Sequence, residues 1–168
     1  MNLKFLFDNI KKKYSSVIVF TSKGNCDRLE LIDLINSDND YLYSDLNANP
    51  NITTLKKIIN KSNNFKAIVG IGGGSVIDYC KLYKCFFNEK TIDIKKKIND
   101  KSYTNILDIP IIVVPTLYGS GAEKTQFAVC YVDGFKNSIS HPLLKPDKVI
   151  YTPQITNSIP QKVKRDNI

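Results

Sequence analysis

The chain has 168 residues and a formal net charge of +8, which comes almost entirely from lysine. This length suits one domain that buries about two-thirds of its surface on folding. No apolar run approaches the roughly 20 residues of a membrane helix, and early charges at the N-terminus argue against a secretion signal. We therefore expect a cytoplasmic protein without a membrane partner. Its four cysteines lack the spacing of a zinc site or a disulfide framework.

The first third of the chain predicts helices that alternate with strands. Apolar residues at helical spacing are separated by short runs of β-branched and aromatic residues, which are typical of buried strands. The predicted elements are a helix over 2–13, a strand over 16–21, a helix over about 26–35, a strand over 41–43 and a helix to about residue 61. Thr53 or Thr54 is the predicted cap of the last helix, because it follows an asparagine-rich loop at 47–51.

A strand, a glycine turn and a helix follow one another near the centre of the sequence. Residues 67–71 are apolar without alternation, as in a strand buried on both faces, and three glycines occupy 72–74. Ser75 is the predicted N-cap of a helix that ends near residue 87, and Asp78 follows three residues later. Glycines let a backbone approach a ligand, and the first amides of a helix attract an anion. The stretch is a candidate phosphate site; the alternative is a tight turn that binds nothing.

The second half continues the alternation and adds a second loop of interest. The predicted elements are a helix over 91–99, a strand over 109–115, and short strands at 127–132, 138–140 and 149–151, with a hairpin turn at Asp133-Gly134. This order predicts an α/β fold with a parallel sheet and helices on both faces. Ligands on such sheets bind at the carboxyl ends of the strands. The loops at 72–75 and 116–121 therefore predict one site at that edge.

The densest positive cluster is the lysine triplet at 95–97, which lies in a helical window that also carries Asp93 and Asp100. Arginine, which makes bidentate contacts to bases, occurs only twice in the sequence. We interpret the lysines as a solvated surface and expect no nucleic-acid partner. A basic module that binds nucleic acid or an acidic partner stays an alternative, which a salt-dependent gel shift would detect.

Neither common nucleotide fingerprint fits the glycine stretch, since Ser75 stands where the third Rossmann glycine belongs and no Gly-Lys-Ser/Thr closes a P-loop. The chain resembles instead the iron-containing (group III) alcohol dehydrogenases of the dehydroquinate-synthase-like superfamily. The matching motifs are Gly72-Gly73-Gly74-Ser75-x-x-Asp78-x-x-Lys81, Pro115-Thr116-x-x-Gly119-Ser120-Gly121-Ala122-Glu123, Asn49-Pro50, Lys136 and Lys145-Pro146-Asp147. Within the family, the segment 119–123 is most similar to the branch that oxidises 3-deoxy-octulosonate sugars.

The resemblance implies a Rossmann-like domain that binds NAD or NADP in an oxidoreductase. Such an enzyme transfers hydride between the nicotinamide and an alcohol, aldehyde or sugar-acid substrate. Gly73, Gly74 and Ser75 would hold the pyrophosphate. Asn49 would reach the adenosine side, and Asp78 would lie near the nicotinamide. The ribose and nicotinamide path would be lined by Thr116, Leu117, Ser120, Thr125 and Lys136.

The sequence departs from the family pattern at the end of the first strand. Many members have an aspartate there that binds the adenosine ribose, and in this chain the position is Ser22. A carboxylate at the ribose 2′-hydroxyl favours NAD and repels the extra phosphate of NADP. Its replacement by serine leaves the choice between NAD and NADP open.

The second departure concerns the metal. In the family, a helical domain supplies one Asp and three His to a divalent iron or zinc ion, whereas this sequence has one histidine, His141. We expect residues 1–160 to form the nucleotide-binding domain and 161–168 to begin the connection to that helical domain, which is absent. The chain is then expected to bind no metal and to be inactive by itself, with a non-catalytic nucleotide-binding protein as the alternative. Apolar residues around Ile155 and Ile159 would be exposed and favour a homo-oligomer.

Overall fold

The computed structural model describes residues 3–35, 38–60, 64–88, 91–117, 119–153 and 155. Its helices are α1 (Leu3–Lys13), α2 (Lys23–Arg28), α3 (Leu31–Leu34), α4 (Ile52–Ile59), α5 (Gly74–Phe86) and α6 (Thr91–Asp100), with a 3-10 helix at Pro142–Leu144. Its strands are β1 (Val17–Thr21), β2 (Tyr41–Tyr43), β3 (Ala67–Gly72), β4 (Ile111–Pro115), β5 (Phe127–Val132), β6 (Phe135–Ser140) and β7 (Lys148–Val149). None of the helices in these ranges combines the length and hydrophobicity of a membrane span.

Five of the strands form one parallel sheet in the order β2-β1-β3-β4-β7, with β3 at its centre. All residues of β1, β3 and β4 are buried, which explains why their sequences are apolar without alternation. Gly70 of β3 lies between Phe20 of β1 and Val113 of β4 in the register. The predicted α/β fold, with residues 67–71 as a central parallel strand, is confirmed.

Helices cover both faces of this sheet, because successive strand side chains point to opposite sides. On one face Val69 belongs to an apolar cluster with Phe7 of α1 and Leu31 of α3. On the other face Ile68 belongs to a cluster with Tyr83 of α5. The β5–β6 hairpin is a separate antiparallel sheet that packs against the outer side of α5. Helix α5 is therefore enclosed between the main sheet and the hairpin, which explains its burial.

Two glycines of β3 set the distance between this strand and α5. A Cβ atom added to Gly70 would lie 2.6 Å from Sγ of Cys80, and one added to Gly72 would lie 2.4 Å from a methyl group of Val76. Both distances are well inside van der Waals contact. These glycines therefore have a packing role that is separate from any ligand at the helix N-terminus.

Several predicted boundaries are wrong for local reasons. The helix predicted over 26–35 is two helices, because Glu30 has a left-handed backbone with a φ of 50°. Helix α2 begins earlier, at Lys23, because the Ser22 side chain accepts a hydrogen bond from the Asn25 amide and caps it. Strand β6 extends from residue 135 because it pairs with β5 along its whole length, and β7 occupies 148–149 instead of 149–151.

The predicted exposure of the apolar residues near the end of the chain is wrong for Ile155. Its side chain is 3% exposed and lies in the cluster that α1 covers. Ile159 and the predicted domain boundary at residue 160 lie outside the described residues, and so does the segment 161–168. The homo-oligomer, which rested on exposed apolar residues, stays a prediction.

Helix α4 is capped by Asn51, and the prediction of Thr53 or Thr54 as its cap is wrong. Oδ1 of Asn51 accepts a hydrogen bond from the Thr54 amide at 2.8 Å. We expect Asn51→Ala to lower the free energy of unfolding by about 1 kcal/mol, the usual cost of losing a cap. Thr53 is exposed in the first turn, so Thr53→Ala is a matched control that should change it by less than about 0.5 kcal/mol. Urea titrations of both variants measure this, and a larger loss for Thr53→Ala would contradict the assignment.

Candidate functional site

The carboxyl ends of the central strands surround an open cleft of about 420 Å³. Its wall combines the turn from β1 into α2, the segment after β2, the start of α5 and the exit from β4. Five residues that the sequence predicted for the site line this cleft: Gly73, Gly74, Ser75, Thr116 and Leu117. The two loops therefore meet at one edge of the sheet, as expected from parallel strands.

The start of α5 forms the floor of the cleft. Gly73 is the N-cap in place of the predicted Ser75, and its carbonyl accepts hydrogen bonds from the amides of Val76 and Ile77. A helix leaves its first amides without acceptors inside the helix, and its dipole favours an anion there. Because α5 has 13 residues, its N-terminus can provide this field at Gly74 and Ser75.

The Ser75 hydroxyl has a structural partner across the cleft. Its Oγ accepts a hydrogen bond from the backbone amide of Asn49 at 3.3 Å, and Asn49 has a left-handed φ of 61°. The contact of Asn49 with the site is therefore through its backbone. The neighbouring residues Asn47 and Ala48 line the cleft, and sequence reasoning did not single them out.

The exit from β4 closes the cleft on the other side. Thr116 is 2% exposed, and its amide donates to the Gly72 carbonyl at 3.0 Å, which joins the two loops. Leu117 approaches Gly73, where a Cβ atom would lie 3.4 Å from a Leu117 methyl. Ser120 lies over Gly74, where a Cβ would be 2.9 Å from the Ser120 Oγ. A side chain at Gly74 would therefore have to displace the Ser120 side chain, whether or not a ligand is bound.

Asp78 lies one turn into α5 and faces the β5–β6 hairpin. Its Oδ2 accepts a hydrogen bond from the Val129 amide at 3.2 Å. Burial raises the pKa of Asp78 to about 6, and the Lys81 ammonium, the Val129 hydrogen bond and Lys136 oppose this rise. Lys136 is exposed on β6, so it acts on Asp78 from the solvent side. The structure brings Asp78 and Lys136 together, whereas no described contact joins the half-buried Thr125 to the cleft.

Lys81 is fully buried, and its structural role was not predicted from the sequence. Its Nζ donates to the carbonyls of Ala122 and Phe127 at 2.7 and 2.6 Å. Burial lowers the pKa of Lys81, and Asp78 and Glu123 are among the groups that oppose this shift. The signal in the sequence was the three-residue spacing from Asp78, which places both side chains on one side of the helix. Lys81 holds the segment that leads from the second loop into β5.

The raised pKa of Asp78 predicts a pH effect on stability. The folded protein binds this proton more tightly than the unfolded chain does. The contribution of Asp78 to the free energy of unfolding is therefore fully present below about pH 4 and is lost as the pH rises through about 6. A shift of about two units corresponds to roughly 3 kcal/mol. We therefore expect Asp78→Asn to flatten the decline in unfolding free energy over this range. Urea titrations at several pH values measure it, with the exposed Asp45→Asn as control. An unchanged pH slope in Asp78→Asn would contradict this cause.

The turn from β1 into α2 contributes a cation that sequence reasoning missed. Arg28 lines the cleft together with Ser22, Gly24 and Asn25. Its guanidinium donates to Oδ1 of Asn25 at 2.9 Å and to the carbonyl of Ile155 at 3.1 Å. Arg28 belongs to no motif in the sequence. Its position in the cleft follows from the fold of α2, which the sequence pattern did not predict.

The lysines at 95–97 form part of the described surface away from this cleft. Lys95 makes an ion pair with Asp133, and Lys97 donates a hydrogen bond to Thr104. Two of the three ammonium groups are therefore engaged with neighbouring residues of the chain. The expectation that no nucleic acid binds stays a prediction.

Residues 2–153 match the family model described as "Iron-containing alcohol dehydrogenase". The chain belongs to this family. The resemblance found in the sequence motifs is thereby confirmed, whereas the octulosonate branch within the family stays a prediction.

The relatives are longer proteins that this chain matches in part. NADH-dependent butanol dehydrogenase A of Clostridium acetobutylicum is 30% identical over 166 residues, which cover 92% of this chain and 42% of that protein. An alcohol dehydrogenase of Thermococcus barophilus is 24% identical over 176 residues, which cover 95% of this chain and 45% of that protein. The chain thus spans less than half the length of these two relatives.

Two solved structures show the same fold. NADH-dependent butanol dehydrogenase A from Thermotoga maritima superposes with a TM-score of 0.79 at 20% identity, over 99% of this chain and 44% of that one. Sulfoacetaldehyde reductase from Bifidobacterium kashiwanohense, in complex with NAD+, superposes with a TM-score of 0.76 at 27% identity, over 96% of this chain and 44% of that one. Both similarities extend over nearly the whole chain, so they include the cleft and its two loops.

The residues that the structure describes provide no ligand set for the iron that gives the family its name. No group of three or more His, Cys, Asp or Glu residues in these ranges could hold a metal ion. The single histidine, His141, caps the 3-10 helix, and its Nδ1 accepts a hydrogen bond from the Leu143 amide. No metal-assisted step is therefore assigned to the described residues.

Proposed function

We propose that this alcohol dehydrogenase family member binds a nicotinamide dinucleotide in the cleft, with the pyrophosphate at the N-terminus of α5. The observation that supports this most directly is the start of a 13-residue helix, Gly74-Ser75, on the floor of an open cleft. Side-chain carboxylates are absent from the described lining of that cleft. An anionic ligand therefore meets amide donors and a positive helix end without a repelling charge.

The other residues in and near the cleft suggest how the cofactor would lie. The adenosine would occupy the side of Asn47, Ala48 and Asn49, and the nicotinamide would lie toward Asp78 and Lys136. Thr116 and Leu117 would separate the two ends, with Ser120 above the helix start. When bound, the cofactor supplies hydride exchange with an alcohol, aldehyde or sugar-acid carbon. The residues of this chain bind and orient the nicotinamide and shield one side of it from water.

Nucleotide binding can be measured on the purified 168-residue polypeptide. We expect saturable fluorescence changes with NADH or NADPH and a higher melting temperature in their presence. At a concentration about 100 times the Kd, binding to the native state adds about 2.7 kcal/mol. For a chain of this size that is a rise of roughly 5–10 °C. No saturation and no rise with either cofactor would refute the proposal.

We further propose that this polypeptide does not oxidise alcohols by itself, although it belongs to the family. The reason is the donor set, since the only imidazole is His141, whose Nδ1 already accepts a backbone hydrogen bond. The test supplies Fe²⁺ or Zn²⁺, NADPH or NADH, and a panel of aldehydes, with elemental analysis of the protein. Metal-dependent turnover at stoichiometric metal would show that the proposal is wrong.

A further inference from the structure

A second cavity, of about 610 Å³, lies between helix α1 and the strands β4 and β7. This α1 cavity shares no lining residue with the cleft at the start of α5. Strand β7 is the last strand of the parallel sheet in the described part of the chain, so no further strand there fills the space beside it. Small-molecule sites usually have volumes of about 300–1,000 Å³. The α1 cavity is therefore large enough for a ligand of its own.

The floor of the α1 cavity is apolar. Four of its side chains belong to the core cluster on this face of the sheet and are at most 7% exposed: Leu6, Ile10, Ile112 and Ile150. Pro110 and Val149 line it as well, together with the ring of Tyr151, which is 46% exposed. A ligand with an apolar body would remove this surface from water, which is the main source of affinity in such a site.

Two ammonium groups line the same cavity without an acidic partner. Lys13 at the end of α1 and Lys148 of β7 are both exposed, and neither forms an ion pair within the described residues. The acidic side chain of the described lining, Asp147, is already engaged. Its Oδ2 accepts a hydrogen bond from the Ile111 amide at 2.8 Å and lies 3.9 Å from Nζ of Lys84. The polar rim is therefore complementary to an anion.

The apolar floor and the cationic rim together select one kind of occupant. An inorganic anion would contact the lysines and leave the floor exposed to water. A second copy of the chain would bring the same lysines against each other, and its net charge of +8 opposes that contact. A carboxylate on an alkyl chain matches both parts, because the chain covers the floor while the charged head stays hydrated at the rim.

We propose that the α1 cavity is a binding site for a medium-chain carboxylate, separate from the cofactor cleft. The alkyl chain lies on Leu6, Ile10 and Ile112, and the carboxylate faces the ammonium groups of Lys13 and Lys148. Exposed ion pairs add little affinity by themselves, so the alkyl chain supplies most of it. Each further methylene that is buried should tighten binding about fourfold.

The first experiment titrates decanoate into the purified full polypeptide and follows the heat of binding. We expect one saturable site per chain, and octanoate should bind roughly tenfold more weakly because it has two methylenes fewer. Decylammonium has the same chain length and the opposite charge, so it should bind at least about tenfold more weakly than decanoate. Equal affinity for these two ions, or binding of decanoate that does not saturate, would overturn the proposal.

A pair of lysine substitutions tests the rim. The double variant Lys13→Gln with Lys148→Gln should weaken decanoate about five- to tenfold, because it removes both ammonium groups. Lys12 and Lys96 are exposed and do not line the cavity, so Lys12→Gln with Lys96→Gln removes the same net charge as a matched control. The control should stay within about twofold of the original protein, and added salt should reduce the difference between the two variants. Equal weakening in both would mean that net charge, and not this rim, attracts the anion, which contradicts the proposal.

A substitution on α1 tests the location. Asn9 is exposed and lines the cavity, so Asn9→Trp places a large side chain in it without replacing a core residue. This variant should lose decanoate binding and melt within a few degrees of the original protein. An unchanged Kd would place the decanoate elsewhere and refute the site. If Asn9→Trp does not fold, the lysine pair still decides, because both lysines are exposed.

The remaining outcomes separate this inference from other occupants and from the proposed function. If light scattering shows a dimer and decanoate does not bind, a second copy covers the cavity and the proposal is wrong. Saturating NADH should leave the Kd of decanoate unchanged, because the two sites share no lining residue. Displacement of decanoate by NADH would place both ligands in the cleft and overturn the second site. Decanoate binding in a protein that binds no dinucleotide would support this site and refute the proposed function alone.

Discussion

Replacement of Lys81 by methionine is expected to destabilise the protein by about 3–5 kcal/mol. Methionine fills similar space but cannot donate to the carbonyls of Ala122 and Phe127, which lie 2.7 and 2.6 Å from Nζ. An unsatisfied buried carbonyl costs about 1–3 kcal/mol. The substitution also removes the cation that most strongly supports the charged form of Asp78. Removal of one member of a buried charged group is typically this costly.

Thermal and urea unfolding measure this effect, and for this chain length the melting temperature should fall by roughly 10 °C or more. Lys96→Met is the matched control, because Lys96 is exposed on α6. Its unfolding free energy should change by less than about 0.5 kcal/mol. A loss of under about 1 kcal/mol for Lys81→Met would mean that the two carbonyls find other donors.

Replacement of Gly73 by valine is expected to abolish dinucleotide binding while the fold is kept. Gly73 has a φ of −81° and a ψ of −168°, a conformation that other residues adopt without strain. Its Cβ would make an ordinary contact with Leu117 at 3.4 Å, and the two methyls of valine would occupy the cleft beside the first amides of α5. Gly73 is a better probe than Gly74, where a Cβ would already collide with Ser120.

The measurement is the rise in melting temperature caused by NADPH or NADH, together with the melting temperature of the unliganded protein. Valine should remove the rise, alanine should reduce it, and both unliganded variants should melt within a few degrees of the original protein. This graded series separates loss of binding from loss of folding. An unchanged rise in Gly73→Val would place the dinucleotide elsewhere on the protein.

The central strands, the glycine loop and the β5–β6 turn could be predicted because short sequence patterns determine them. Strand β3 lacks polar alternation because both of its faces are covered. The turn at Asp133-Gly134 has φ values of 51° and 82°, the geometry for which that residue pair is favoured. The meeting of the two loops followed from parallel strands, since their carboxyl ends share one edge.

The features that could not be predicted depend on contacts between distant residues. Asn51 caps α4 in place of Thr53 or Thr54, and its backbone amide donates a hydrogen bond to the Tyr79 hydroxyl, 28 positions further along the sequence. In the sequence Lys81 looks like an ordinary helix lysine, and only the packing of the hairpin on α5 makes it a buried residue. Ile155 was predicted to be exposed, and it is buried because it belongs to the apolar cluster that includes residues of α1. In each case the deciding neighbour lies in another element.

The double hydrogen bonding of Arg28 links the cleft to the chain around residue 155. One guanidinium holds both Asn25 in the cleft wall and the Ile155 carbonyl, 127 positions further along the sequence. A ligand that binds more tightly when this group is drawn inward weakens the Ile155 bond, and a ligand that binds more tightly when the bond is intact strengthens it. For such a ligand thermodynamic linkage makes the effect reciprocal, so the Ile155 hydrogen bond changes ligand affinity by the same factor. Occupancy of the cleft by such a ligand and the position of the Ile155 carbonyl would then be coupled through Arg28.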